Sequence, residues 1–191
     1  MVPKMPETSS RLCNSNVLLG VAGGIAAYKA VDLASKLTAV GAKVNCILTE
    51  SACQLIRPKS FEAVTHKAVF TNMWSAPQDF KISHIDLAQQ ADIIVVAPAT
   101  ANIIAKIANG ICDDLLSTTL CACWKKKVLV APAMNNNMWE NPIVQENIEK
   151  LRQTKFKLVG PETGRLACGT EGPGRMAEPV DILKRIEEII G

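Results

Sequence analysis

Short runs of apolar residues alternate with amphipathic segments along this chain. Residues 17–19 form one apolar run, and Gly23-Gly24 follows it as a turn. Over residues 26–37 the apolar positions recur at helical spacing, and residues 43–49 then form a second apolar run. A helix that joins two buried strands is the crossover connection of a parallel sheet. The pattern therefore predicts a doubly wound α/β fold of Rossmann or flavodoxin-like type, in which helices cover both faces of a parallel sheet in three layers.

The same alternation continues to the C-terminus. Further strands are predicted near Val69 and over residues 93–97, 128–131 and 156–159, with a proline directly after the second and third of these. Further helices are predicted over residues 51–57, 59–65, 100–109, 113–123, 141–151 and 179–190. Residues 160–175 are rich in glycine and show neither helical nor alternating periodicity, so we expect a long loop there.

The chain divides into a short arm and one domain. Residues 1–14 are polar, contain Pro3 and Pro6 and show no periodicity, which is typical of a disordered N-terminal arm. Residues 15–191 have the length of a single domain with a substantial core. We expect no second catalytic module.

Composition excludes several classes of protein. Hydrophobic residues make up 48% and charged residues 20% of the chain, which excludes a disordered or coiled-coil protein. The net charge of +3 is too small, and its lysines and arginines too dispersed, for an electrostatic nucleic-acid partner. The seven cysteines lack the two-residue gap typical of zinc sites, so we expect no metal site and reduced thiols in a cytoplasm. No apolar run approaches the length of a membrane span, so we expect a soluble protein without a membrane partner.

The segments that follow the predicted strands hold the candidate binding residues, because ligands of parallel sheets sit beyond the carboxyl ends of the strands. Gly23 and Gly24 either bring backbone amides close to a phosphate at a helix N-terminus or simply make a tight turn. The hydroxyls of Thr49 and Ser51 either bind a phosphate or cap the next helix, and capping is the simpler interpretation of each.

Two further segments and the glycine-rich loop add polar candidates. Residues 98–102 carry small side chains that let a flat ring lie against the backbone, and Asn102 can bond the edge of such a ring. Three successive asparagines in residues 132–139 are poor core material and poor helix formers, which favours ligand binding over a structural role. His84 precedes an apolar-periodic segment, as a neighbour of a helix cap does. Cys168 lies among glycines, and its expected exposure favours a reactive thiol over an inert one.

Taken in order, these motifs resemble those of the flavin-containing cysteine decarboxylases. They are GVAGGIAAYK from Gly20, HIDL from His84, PATAN from Pro98, PAMNNNMW from Pro132, ACG from Ala167 and GRM from Gly174. The resemblance spans roughly Asn16 to the C-terminus, implies a flavoprotein decarboxylase domain over residues 15–191, and is strongest to the members that act on phosphopantothenoylcysteine. The family pattern usually has an aspartate after Cys-Gly, and this chain has Thr170 there.

The resemblance implies FMN as the cofactor and a role for each matched residue. The implied FMN contacts are Gly23, Gly24, Ile25, Thr49, Ser51, Pro98, Ala99, Thr100 and Asn102. His84 would be the catalytic base or proton shuttle, Asn135 would grip the substrate carboxylate, and Cys168 would be the acid of the closing reductive step. The implied substrate-binding residues are Asn135, Met138, Ala167, Gly169, Arg175 and Met176.

The implied enzyme is a carboxy-lyase that converts 4'-phosphopantothenoylcysteine into 4'-phosphopantetheine in coenzyme A biosynthesis. Oxidation by the flavin at the carbon that bears sulfur gives a thioaldehyde, which is the electron sink for loss of carbon dioxide, and re-reduction of the enethiol closes the cycle. The resemblance also implies a homotrimer, or a multiple of trimers, with flavin sites at subunit contacts. The alternatives are oxidative decarboxylation of a peptide's C-terminal cysteine, a flavin-binding regulatory subunit of a phosphatase, and prenyl transfer on flavin.

Overall fold

The computed structural model describes residues 10–74, 84–165, 169 and 171–191, and a six-stranded parallel sheet lies at their centre. Its strands are β1 (Asn16–Val21), β2 (Lys43–Leu48), β3 (Val69–Phe70), β4 (Ile93–Ala99), β5 (Lys127–Pro132) and β6 (Phe156–Leu158). Their order is β3-β2-β1-β4-β5-β6, and each neighbouring pair is parallel. The two edge strands, β3 and β6, are two and three residues long.

Helices cover both faces of this sheet. In the described ranges they are α1 (Ala27–Ala39), α2 (Glu50–Leu55), α3 (Pro58–Thr65), α4 (His84–Gln90), α5 (Ala101–Asn109), α6 (Leu115–Ala122), α7 (Asn136–Trp139), α8 (Pro142–Arg152) and α9 (Pro179–Ile190). One hydrophobic core joins the sheet to α1, α3 and α9, and a second core joins the opposite face to α4, α5, α6 and α8. The predicted doubly wound, three-layer α/β fold is therefore confirmed.

The apolar runs of the strands serve both cores at once. In β1, Val17 and Leu19 belong to the core beside α1, whereas Leu18 belongs to the core beside α5, and β4 alternates in the same way. Successive side chains of a strand point to opposite faces, so a strand that is covered on both faces must be apolar at each position. This is why an unbroken apolar run predicts these strands.

The strand order places a ligand crevice beside β1. β1 pairs with β2 on one side and with β4 on the other, so the chain reverses its direction across the sheet at this point. The helix after β1 belongs to one core and the helix after β4 to the other. These two helices diverge from the carboxyl ends of adjacent strands, which opens the crevice where such folds bind ligands.

The sequence predicts that strand β4 ends before Pro98. In the structure, β4 continues to Ala99. The carbonyl oxygen of Pro98 accepts the amide of Ala22 at 3.2 Å, so this proline still links β4 to the segment after β1. The pairing with β5 shifts register between Val96 and Ala99. An irregularity of this kind lets a ladder include a residue that has no amide hydrogen to donate.

The prediction of a long loop over residues 160–175 is also wrong. Within it the structure has an antiparallel hairpin of β7 (Glu162–Arg165) and β8 (Glu171–Arg175). Its strands contain glycine, proline and charged residues rather than alternating apolar side chains, which is why the pattern does not predict them. Backbone pairing and contacts with the rest of the domain stabilise this hairpin instead.

The last five residues of the predicted disordered arm are ordered. Leu12 is fully buried in the core beside α1, and the Ser10 hydroxyl donates a 2.6 Å hydrogen bond to Oε1 of Glu187 in α9. One buried leucine and this contact hold residues 10–14 against the domain. Residues 1–9 of the arm lie outside the described residues.

The helices in the described ranges are short. None of them combines the length and the apolar character that crossing a membrane requires.

Candidate functional site

An open cleft with a volume of ≈ 1530 Å³ lies at the carboxyl edge of the sheet, beside β1 and β4. The residues selected from the sequence that line it are Gly23, Gly24, Ile25, Thr49, Ser51, Thr100, Asn102, Asn135, Met138, Gly169, Arg175 and Met176. Segments that leave β1, β2, β4 and β5 meet here, together with the hairpin. The structure therefore brings most of the predicted site residues into one place.

The turn after β1 presents unpaired backbone donors to the cleft. The amide of Gly24 donates to Ala22 and the amide of Ala27 donates to Gly24, both at 2.9 Å. In the described part of the chain, the intervening amides of Ile25 and Ala26 donate to no protein acceptor. They lie at the N-terminus of α1, where the helix dipole favours an anion.

Gly23 permits a close approach between this turn and α2. A Cβ atom on Gly23 would lie 2.4 Å from Cβ of Ser51 and 2.8 Å from its carbonyl carbon. Real Cβ atoms do not come this close to a backbone, so a glycine is required at this position. The contact places Ser51 against the turn that carries the free amides.

Two of the candidate hydroxyls cap helices. Oγ1 of Thr49 accepts the amide of Ala52 at 3.2 Å at the start of α2, and Oγ1 of Thr100 accepts the amide of Ile103 at 3.4 Å at the start of α5. The simpler interpretation of Thr49, that it caps a helix, is therefore confirmed, whereas that of Ser51 is wrong because Ser51 lies within α2. Both capping residues also line the cleft, so capping fixes the side chains that a ligand would meet.

Pro98 and Ala99 lie inside the sheet rather than on the wall of the cleft. Both are buried in β4. The carbonyl oxygen of Ala99 accepts the amide of Ala133 at 2.9 Å, and that of Pro98 accepts the amide of Ala22. These residues hold together the ends of β1, β4 and β5, from which the cleft-lining segments depart.

Asn135 begins a short helix that the sequence did not predict. Its Oδ1 accepts the amide of Asn137 at 2.8 Å, and α7 then runs from Asn136 to Trp139. The asparagines are poor residues for a helix interior, but the cap at Asn135 suffices to start a single turn. The cap orients the carboxamide of Asn135 at the cleft.

Strand β8 packs against the segment that carries Asn135. The amide of Met134 donates to the carbonyl of Gly174 at 2.9 Å, and a Cβ atom on Gly174 would lie 2.3 Å from the carbonyl oxygen of Met134. Gly174 has a φ of 132°, a backbone conformation that residues with a side chain rarely adopt. A Cβ atom on Gly172 would lie 3.1 Å from Cβ of Asn136. Glycines thus let the hairpin approach the asparagine segment backbone to backbone.

The side chains of the two remaining catalytic candidates, Cys168 and His84, lie outside what the structure describes. Cys168 lies outside the described residues, as do Ala167 and Thr170, but Arg165 and Gly169 on either side of it line the cleft. His84 is the first residue of α4, and its side chain lies outside what the structure describes. Because α4 returns the chain to the amino end of β4, its first residue lies toward the carboxyl edge of the sheet.

Similarity to known proteins decides the family. Residues 5–191 match the family described as Flavoprotein. The chain belongs to the flavoprotein family.

Individual members resemble this flavoprotein over nearly its whole length. It is 50% identical over 177 residues to the coenzyme A biosynthesis bifunctional protein CoaBC of Bacillus subtilis (strain 168), which is 93% of this chain but 43% of that relative. A cysteine-to-serine mutant of PPC decarboxylase, complexed with pantothenoylaminoethenethiol, superposes with a TM-score of 0.81 at 34% identity, covering 92% of this chain and 97% of that one. The FMN-dependent cysteine decarboxylase SpaF superposes with a TM-score of 0.79 at 32% identity, covering 94% and 97%.

Sequence reasoning missed an ion-pair network at the base of the hairpin of this flavoprotein. Nη2 of Arg175 lies 2.8 Å from Oε2 of Glu162 and 3.2 Å from Oε1 of Glu178, and Nζ of Lys29 lies 2.7 Å from the same Oε1. The hydrogen bond from Arg175 to Glu162 raises the pKa of the guanidinium, and the charges of Glu162 and Glu178 add to the effect. Lys29 and Glu178 are 149 positions apart, so a single sequence gives no sign that they pair, although Arg175 and Glu178 are near neighbours in the chain.

Sequence reasoning also missed a second ion-pair network, which lines the same cleft. Nζ of Lys106 in α5 lies 2.7 Å from Oδ1 of Asp113 and 2.7 Å from Oδ2 of Asp114. Burial alone would lower the pKa of Lys106, but the hydrogen bonds to both carboxylates outweigh it and raise that pKa. Asp114 also caps α6, through a bond from the amide of Ser117 at 2.8 Å. All three charged residues line the cleft, where they fix the loop between α5 and α6.

Proposed function

We propose that this flavoprotein is an FMN-dependent carboxy-lyase that converts 4'-phosphopantothenoylcysteine into 4'-phosphopantetheine in coenzyme A biosynthesis. The observation that carries the proposal is the meeting of Asn135 and the β7–β8 hairpin at the cleft that begins at the Gly23–Gly24 turn. PPC decarboxylase, with 34% identity and a TM-score of 0.81, and the CoaBC protein support the same substrate.

The residues of the cleft fit FMN. The free amides of Ile25 and Ala26, at the N-terminus of a helix of 13 residues, suit the phosphate, and Ser51 adds a hydroxyl beside them. Thr100 and Asn102 follow at the start of α5, where a flat ring can lie and an amide can bond its edge. FMN-dependent relatives such as SpaF support this choice of flavin.

Bound FMN supplies the two-electron oxidation at the carbon that bears sulfur and returns the electrons at the end. The protein's own residues position the substrate and move protons. The amide of Asn137 holds Oδ1 of Asn135, which sets the orientation of a carboxamide whose amino group suits a substrate carboxylate. We assign the proton transfers to His84 as base or shuttle, and to Cys168 as the acid that protonates the reduced product, following the resemblance of their motifs.

We further propose a homotrimer, or a multiple of trimers, in the cytoplasm. Support for assembly comes from exposed apolar side chains on α4 and beside α6: Ile85 is 48%, Ile111 is 47% and Trp124 is 62% exposed. Size-exclusion chromatography with light scattering tests the assembly, and a monomer at micromolar concentration would contradict it.

One experiment tests the activity. Purified protein is first examined for a flavin absorbance spectrum and is then incubated with 4'-phosphopantothenoylcysteine, with the products analysed by mass spectrometry. We expect 4'-phosphopantetheine and carbon dioxide. A product two hydrogens lighter would indicate an oxidative decarboxylase that stops at the enethiol, and bound flavin without product would indicate a binding subunit.

The test variant is Asn135→Asp, which keeps the size of the side chain but places a second carboxylate against that of the substrate. We expect flavin binding to persist while turnover falls by about a hundredfold or more. Unchanged turnover in this variant would remove Asn135 from the mechanism.

A further inference from the structure

The carboxylate of Glu178 is shared by two cations from different parts of the fold. Its Oε1 accepts Lys29 from α1 at 2.7 Å and Arg175 from β8 at 3.2 Å. Glu178 itself is the residue that precedes α9. One oxygen atom therefore joins the first helix, the hairpin and the last helix, and all three of these residues line the cleft.

Two of the hairpin's attachments to the domain lie at the end of β8 and bear on its position over the cleft. The first is the backbone contact of Gly174 with Met134, which ties β8 to the asparagine segment. The second is Arg175, which Glu162 holds within the hairpin at 2.8 Å and Glu178 holds from outside it. Glu178 lies only three positions after Arg175, and in the described residues it is the ionic partner that links Arg175 to Lys29 of α1.

We propose that Glu178 is a positioning residue, which holds the β7–β8 hairpin over the cleft through Arg175 while Lys29 fixes its carboxylate. This inference rests on the proposed function for the statement that the hairpin binds substrate. It assigns Glu178 no contact with substrate or flavin.

The size of the effect follows from the exposure of the network. The side chain of Lys29 is 14% exposed, whereas those of Glu178 and Arg175 are 40% and 41% exposed. Solvent weakens ion pairs that are this accessible, so loss of Glu178 shifts the position of the hairpin without unfolding the domain. Substrate can still select the fraction of molecules in which the hairpin is in place. Apparent affinity falls in proportion to that fraction, whereas turnover at saturation persists.

The test compares Glu178→Gln with Glu188→Gln. The control removes an exposed ion pair with Arg185 from the same helix, at 2.6 Å and away from the cleft. For Glu178→Gln we expect KM and the rate of trypsin cleavage after the exposed Arg165 each to rise about twofold, with kcat unchanged. The product of the two factors equals the change in the hairpin's equilibrium constant, which is about fivefold at most for an accessible ion pair. The control should match the wild type in each measurement.

Two variants of Lys29 separate a specific ion pair from a general loss of stability. Lys29→Arg keeps the charge beside Glu178 and should behave like the wild type, whereas Lys29→Met should raise KM in the same direction as Glu178→Gln. Flavin affinity, measured by quenching of flavin fluorescence, should change by less than about threefold in Glu178→Gln, because the turn at Gly23–Gly24 does not depend on the hairpin.

Wild-type KM and wild-type cleavage in Glu178→Gln would overturn the proposal. A loss of flavin affinity without a change in KM would also overturn it, since Glu178 would then serve the cofactor. Suppose that neither the wild type nor any variant turns over 4'-phosphopantothenoylcysteine, but that trypsin still cleaves Glu178→Gln faster than the wild type. The proposed function then fails, and the positioning role of Glu178 stands.

Discussion

The amide of Met134 donates a 2.9 Å hydrogen bond to the carbonyl of Gly174, although 39 positions of chain separate the two residues. Met134 directly precedes Asn135, and Gly174 directly precedes Arg175. The hydrogen bond therefore ties together the chain neighbours of two candidate substrate-binding residues. The segment after β5 and strand β8 thus form one unit of the proposed substrate site.

Replacing Gly174 with alanine should disrupt this unit. A Cβ atom would lie 2.3 Å from the carbonyl oxygen of Met134, and the φ of 132° would be strained for alanine. We expect a loss of about 2–4 kcal/mol in the free energy of unfolding, measured by urea denaturation. Gly110→Ala is the control: its φ of 68° is also left-handed, but nothing lies within 4 Å, so it should cost only about 1 kcal/mol. Equal losses in the two variants would contradict the close contact.

Replacing Gly23 with alanine should weaken flavin binding more than it weakens the fold. The new methyl group would push Ser51 away from the turn, because it would lie 2.4 Å from Cβ of Ser51. We expect flavin affinity to fall by about tenfold or more, as measured by fluorescence titration. Wild-type affinity for FMN in this variant would show that the phosphate does not bind at the turn.

The stability of the protein toward unfolding should fall at acidic pH, partly because Asp113 becomes protonated. The hydrogen bond from Lys106 lowers the pKa of Asp113 below its usual value of 3.8. A carboxyl whose pKa is lower in the folded state contributes stability above its unfolded pKa, and this contribution is lost as pH falls through the folded pKa. Urea midpoints measured between about pH 5 and pH 2.5 should therefore fall less steeply in Lys106→Met than in the wild type. Lys59→Met, at an exposed pair with Glu62, is the control. Parallel acid profiles for the wild type and Lys106→Met would refute the assignment.

The cysteines should differ in their reactivity toward iodoacetamide. Burial raises the pKa of the Cys46 thiol to about 12 and that of Cys123 to about 11. At pH 8 the Cys46 thiol is therefore almost wholly protonated, and the side chain is shielded as well. Peptide mapping should find Cys46 and Cys123 labelled only in denaturant, whereas the exposed Cys13 is labelled in the native protein. Rapid native labelling of Cys46 would contradict the packing of β2.

The parts of the fold that the sequence predicts are those encoded by local pattern. Residues 93–96 form an unbroken apolar run because β4 is buried on both faces. Asn141 before Pro142 predicts a helix start, and Oδ1 of Asn141 does accept the amide of Ile143 at 2.9 Å. The glycine pair and the segments after the strands point to the cleft for the same reason, since the fold places each strand's carboxyl end at one edge.

The parts that the sequence does not predict depend on contacts between distant residues. The hairpin has no apolar alternation, because the backbone of β8 rests on Met134 and Asn136 rather than on a core. The ion pair of Lys29 with Glu178 spans 149 positions, and nothing near either residue indicates the other. Pro98 and Ala99 belong to a matched motif, but the structure places them within β4. The motif therefore identified the segment but not which of its residues face the cleft.

The short outer strands of the sheet constrain how copies of this protein can associate. With two residues in β3 and three in β6, the described edges offer few main-chain groups for a strand from another molecule to pair with. A continuous sheet across two subunits is therefore disfavoured. Any contact between copies at these two edges must be made by side chains on helices and loops, so single substitutions there are able to separate the copies and leave each domain folded.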